Sequence, residues 1–142
     1  MGSDELLEDF IIEIQDLKAK MSITISKLIE CKLQDKSLFE KFGQNVDRIY
    51  GTAMTLGHIE IGEYTKAMKD VTYMASASDN EKGQQKTVKA MIKYIELGDE
   101  ICLALKDPEK VPALNFKLNQ EKAKVEILNR REFFSVDKKS CD

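Results

Sequence analysis

Apolar residues return every third or fourth position through most of this chain, and that period admits helices and little else. From Asp4 onward, Leu7, Phe10, Ile14, Leu17, Met21, Ile25 and Leu28 draw one stripe down a long helix, with Ser3 and Asp4 available to cap its start. A second stripe runs through Leu38, Phe42, Val46, Ile49, Ala53 and Leu56 and stops at Gly57, a natural terminator. The third uses Ile61, Tyr64, Met68, Val71 and Ala75 before the polar break Ser76-Ala77-Ser78-Asp79-Asn80. The fourth uses Val88, Met91, Ile95, Ile101, Cys102 and Leu105 and ends ahead of Pro108. Four amphipathic helices on short polar connections predict an all-α chain, an antiparallel four-helix bundle over residues 1–106.

Residues 107–142 form a C-terminal extension with two readings. Leu114, Leu118, Val125 and Leu128 fit a fifth helix packed on the bundle, which is the expectation. Leu114-Asn115-Phe116-Lys117-Leu118 and Val125-Glu126-Ile127 also alternate, so a small hairpin is the alternative. Phe133 and Phe134 are expected to cover a bundle edge or a partner, and Lys138 to Asp142 to be disordered.

With 142 residues the chain can bury a core without staples. A formal net charge of −3, with no basic stripe, speaks against nucleic-acid binding, and Arg130-Arg131 reads as a solvated pair. Cys31, Cys102 and Cys141 are odd in number and form no C-x-x-C pair, so neither a disulfide framework nor a zinc or redox motif is expected. A cytoplasmic location follows as the expectation. No apolar run is long enough to span a membrane, and no secretory signal is evident. Met1-Gly2-Ser3 opens like a myristoylation site, but Leu6 stands where serine or threonine is needed. Glu96, Asp99 and Glu100 read as a solvated acidic face, and Asp79-Asn80-Glu81-Lys82-Gly83 as a polar connection without the alternating ligands of a calcium loop. No metal and no cofactor is expected.

Chemistry concentrates on the second helix. With about 100° between successive residues, Gln44, Asp47 and Gly51 point nearly opposite to the stripe from Leu38 to Leu56. A mid-helix glycine costs roughly 1 kcal/mol against alanine. Placed one turn after Asp47, Gly51 leaves bare backbone beside a carboxylate, where another surface can approach closely. Tight packing within the molecule, or a glycine tolerated by accident, is the competing explanation.

The run Asp47-Arg48-Ile49-Tyr50-Gly51-Thr52-Ala53-Met54-Thr55-Leu56-Gly57 resembles the signature helix of histidine-phosphotransfer (HPt) domains, H-x-I/L-K-G-x-A/S-x-x-L/F-G, especially those of chemotaxis-type histidine kinases. Ile49, Gly51, Ala53, Leu56 and Gly57 fall in register. The likeness extends over roughly residues 4 to 106, with Leu38-Phe39-Glu40-Lys41-Phe42 at the family's apolar lead-in and Ile61-Gly62-Glu63-Tyr64 at its third helix. It implies a four-helix bundle whose second helix presents the site. The implied partner is the receiver domain of a response regulator or a histidine-kinase component.

Two departures remove the family's chemistry. Asp47 holds the place of the phosphoacceptor histidine, and a carboxylate is negative, acceptor-only and repels an incoming phosphoryl group. Tyr50 replaces the lysine that would meet phosphoryl oxygens, and Arg48 is expected to point off the face. The resemblance thus implies a pseudo-phosphotransferase, a non-catalytic signalling module. Its degenerate acceptor is Asp47, and its partner face comprises Gln44, Asp47, Arg48, Tyr50, Gly51, Met54 and Thr55. Three alternatives stand beside it. Gln44, Asn45 and Asp47 supply the amide and acid types of a receiver-directed phosphatase. His58, the single histidine, is another candidate phosphoacceptor. The bundle is otherwise purely structural or dimerising.

Overall fold

The computed structural model describes residues 2–134, and every regular element among them is helical. Helix α1 spans Gly2–Glu30, α2 Ser37–Thr55, α3 Ile59–Ala77, α4 Glu81–Lys106 and α5 Val111–Asn129. A 3₁₀ turn, Pro108–Lys110, leads into α5, and a π-helical turn, Arg130–Phe134, follows it. Among its described residues the extension is therefore helical, not a hairpin. Helix α1 starts earlier than its expected cap, so Asp4 lies within the first turn beside Glu5, where carboxylates complement the helix dipole. Cys141 and the expected disorder of Lys138 to Asp142 lie outside the described residues.

Helix ends follow local chemistry. Gly57 has φ +83°, and the amides of Gly57 and His58 donate to Met54 O and Ala53 O, closing α2 with a left-handed glycine cap. The same pair of bonds closes α1, from Lys32 N to Ile29 O and Leu33 N to Leu28 O, although Lys32 has φ 53° and carries a side chain. Asn80 caps α4 by accepting from Gly83 N through its side chain, at 3.0 Å.

The core is built from the predicted stripes. Phe10, Ile14, Leu17, Met21, Ile25 and Leu28 of α1 are buried, as are Phe42, Val46, Ile49 and Ala53 of α2. Each large aliphatic or aromatic side chain so placed contributes on the order of 1.5–3 kcal/mol. Helix α2 packs against α1 and α3, and α4 against α1 and α3. Along the α2–α3 seam, Gly43 meets Thr72 and Tyr73, Asp47 meets Lys69, and Met54 meets Gly62. Inside, the Thr65 and Tyr94 hydroxyls share a hydrogen bond of 2.9 Å. Burial pushes the Tyr64 and Tyr94 phenols far above their ordinary range.

Helix α5 lies over α3 and α4, burying Leu114, Leu118 and Val125. Lys122 pairs with Glu63 on one side and Lys117 with Glu100 on the other, at 3.5 and 2.6 Å. Its end is latched to the start of α4. Phe133 is buried against Gly83, Asn80 Nδ2 donates to Glu132 O at 2.6 Å, and Lys86 Nζ meets Glu132 Oε2 at 3.0 Å. Phe134 is exposed. Of the expected acidic face, Glu96 is exposed, Asp99 pairs with Lys18, and Glu100 with Lys117. Asp79 pairs with Lys36 instead of standing in a metal loop. Cys31 and Cys102 are free thiols. No described helix is long and apolar enough to cross a membrane.

Candidate docking face on the second helix

Four glycines of this fold occupy two kinds of place. A Cβ built on Gly43 would lie 2.8 Å from Thr72 Oγ1 and 2.7 Å from the Tyr73 ring, and one on Gly62 would lie 2.4 Å from Met54 Sδ. Both glycines let α2 and α3 close on each other. A Cβ on Gly51 would meet nothing within 4 Å, and the same holds at Gly57, whose positive φ explains it independently. Gly51 is helical, exposed and free of packing duty. Tight packing within the chain is thereby removed as its explanation.

Around Gly51 the sequence-predicted residues separate into two flanks. Asp47, Arg48, Gly51 and Thr55 line a groove between α2 and α1, whose other wall carries Leu6, Asp9, Phe10 and Glu13. Arg48 therefore belongs to this groove rather than pointing off it, with Nη2 3.9 Å from Glu13 Oε2. Thr52 donates from Oγ1 to Glu13 Oε1 at 2.7 Å. Met54 lies toward α3, packed over Gly62 yet still part-exposed. Tyr50 is half-buried, and Gln44 is exposed one turn before Asp47. Thr55 Oγ1 donates back to Gly51 O at 2.8 Å, which occupies a carbonyl that the missing side chain would otherwise shield.

Asp47 is not a bare carboxylate. Lys69 of α3 reaches it with Nζ 2.9 Å from Oδ1, and the Asp47 side chain keeps 46% of its exposure. The hydrogen bond to Asp47 raises the Lys69 ammonium above its ordinary range, with burial opposing it. Lys69 Nζ also stands 5.9 Å from the Tyr73 ring centroid. A cation thus returns beside position 47 from another helix, although Tyr50 supplies none. The fixed negative charge expected at Asp47 is locally offset.

The alternative residues are placed differently. Asn45 turns inward, its Nδ2 buried without a hydrogen-bond partner, so of the two amides only Gln44 shares the exposed face with Asp47. His58 is the residue before α3, with its ring stacked on Phe10 at 5.8 Å between centroids and 18° between planes. It is half-buried at the end of the groove, beyond Gly57.

Lys69 and Glu13 were not foreseen. Nothing local in sequence announces them, since each comes from a different helix, and only the packing register brings it to α2. Compared with known proteins, the chain matches no family description, no characterised protein and no solved structure. The functional reading therefore rests on this geometry and on the α2 motif.

Proposed function

We propose that this chain is a phosphotransfer-like signalling module, an antiparallel four-helix bundle of HPt type with a fifth helix. It binds the receiver domain of a response regulator, or a related two-component partner, without passing phosphate. The observation that carries this reading is Gly51. It is exposed in mid-helix, where a side chain would meet nothing, so the helix forgoes roughly 1 kcal/mol for no internal gain. Close approach of another surface accounts for it.

The neighbours of Gly51 support docking over chemistry. The acceptor position holds Asp47 in place of an imidazole, and Asp47 is engaged by Lys69. An aspartyl group in that state is a poor nucleophile toward a phosphoryl donor, while its free oxygen still accepts hydrogen bonds. Helix α5 covers α3 and α4, leaving the α1–α2 side for a partner. The phosphatase reading has less support because Asn45 faces inward. Phosphotransfer through His58 has less because its ring is committed to Phe10.

The test is to incubate the purified chain with phosphorylated receivers from its source organism and follow both association and the label. The expected result is co-purification with at least one receiver while the phosphoryl group stays on it. Stable labelling of this chain, or association with no receiver, overturns the proposal.

A further inference from the structure

The charge of α1 is strongly uneven. Between Asp4 and Leu17 the acids are Asp4, Glu5, Glu8, Asp9, Glu13 and Asp16, with no lysine or arginine among them. Asp4 and Glu5 sit in the first turn, where the helix dipole favours them. The other four lie beyond it, and Asp9 is four residues from both Glu5 and Glu13, a spacing at which like charges repel. Several acids on the other helices are matched by lysines, as in Lys69–Asp47, Lys117–Glu100 and Lys122–Glu63. Among the described residues of this stretch, Glu13 is the acid that meets a cation, Arg48, at 3.9 Å. Glu8, Asp9 and Asp16 are exposed.

This acidic half-helix forms one wall of the groove at Gly51. Asp9 and Glu13 stand in that groove beside Arg48, with Asp47 already paired to Lys69, and Leu6 and Leu56 supply its apolar surface over the buried Phe10. A cleft between two helices, open at a glycine and lined in this way, fits an amphipathic helix. An acidic wall selects a basic occupant and repels an acidic one.

We infer that the α1–α2 groove receives a basic helix of the partner: an apolar side chain seated against Leu6 and Leu56, flanked by lysine or arginine facing Asp9 and Glu13. The inference rests on the receiver-docking reading and names the surface of the receiver that would be engaged. It also makes the association strongly salt-dependent, because the exposed acids are screened by added ions.

The test titrates the isotope-labelled full chain with two helical peptides of identical leucine spacing, one flanked by lysines and one by glutamates. The lysine peptide is expected to shift the amides of Gly51, Thr52, Thr55 and Asp9 and to bind at least about tenfold more tightly than the glutamate peptide. Asp9→Lys, at an exposed site, should reduce that preference without lowering the melting temperature, since it replaces two like-charge pairs on α1 by opposite-charge ones. Equal binding of both peptides, or shifts confined to other helices, overturns the inference. Receivers screened alongside separate the two claims. A receiver that is lost on Gly51→Arg yet indifferent to salt and to Asp9→Lys sinks the basic-helix inference and leaves receiver docking standing. Lysine-peptide binding at the groove with no receiver bound does the reverse.

Discussion

At the scale of single residues, Gly43 and Gly51 serve opposite ends, one closing a seam and one leaving backbone bare. Gly51→Ala adds a methyl group that meets nothing, so the isolated chain should gain about 0.5–1 kcal/mol, read as a higher denaturant midpoint. Gly43→Ala forces a Cβ to within 2.8 Å of Thr72 Oγ1, on a residue buried at the α2–α3 seam, and should lose about 1–3 kcal/mol by overpacking. A loss of stability on Gly51→Ala would show that its bare backbone serves the fold after all. The exposed orientation of Gln44, Asp47 and Gly51 was legible because an angular step of about 100° is enough to assign faces on one helix. The Lys69 partner of Asp47 was not legible, since it depends on which α3 turn packs beside which α2 turn. The reach of Arg48 to Glu13 is hidden for a related reason: a long side chain reaches a neighbouring helix that its own helical angle does not reveal.

At the scale of elements, caps and latches set where the helices stop. Lys32 holds φ 53° at the position where α2 uses Gly57, and a side chain in that region is strained. Lys32→Gly should therefore stabilise the α1–α2 connection by about 0.5–1 kcal/mol, measurable by thermal or denaturant unfolding. The latch of the π-turn onto α4 carries a pH signature. Lys86 beside Glu132 holds that carboxyl below its ordinary range. A depressed folded value means that the contribution is complete above the unfolded value of about 4.3. It is then lost as pH falls through the lower folded value. Glu132→Gln should flatten this part of the acid limb, in melts recorded across that window, while leaving stability near neutrality only modestly lower. The fifth helix shows where the pattern was ambiguous. Leu114 and Leu118 are buried while Phe116 between them is 65% exposed. That is a helical face with one apolar residue on its far side, which in sequence imitates a strand. The long stripes of α1 to α4 carried no such ambiguity, because a period sustained over five or six contacts cannot be mistaken for alternation.

At the scale of the whole molecule, the five helices divide the surface. Helix α5 covers α3 and α4 and ties its end to Asn80, Gly83 and Lys86. The α1–α2 side keeps a groove, an exposed glycine and an acidic wall. The proposed division is thus a braced back and a docking front, with the family's phosphoryl chemistry absent from the front. Its most direct test is calorimetric titration of wild type and Gly51→Arg against a receiver domain from the same organism. Arginine at an exposed site with nothing within 4 Å of its Cβ should leave the fold intact and, as a better helix former than glycine, raise the melting temperature by roughly a few degrees. Wild type is expected to bind, and the arginine variant to lose at least about a hundredfold in affinity, roughly 2.7 kcal/mol. Equal affinity of the two folded proteins would contradict the proposed docking front.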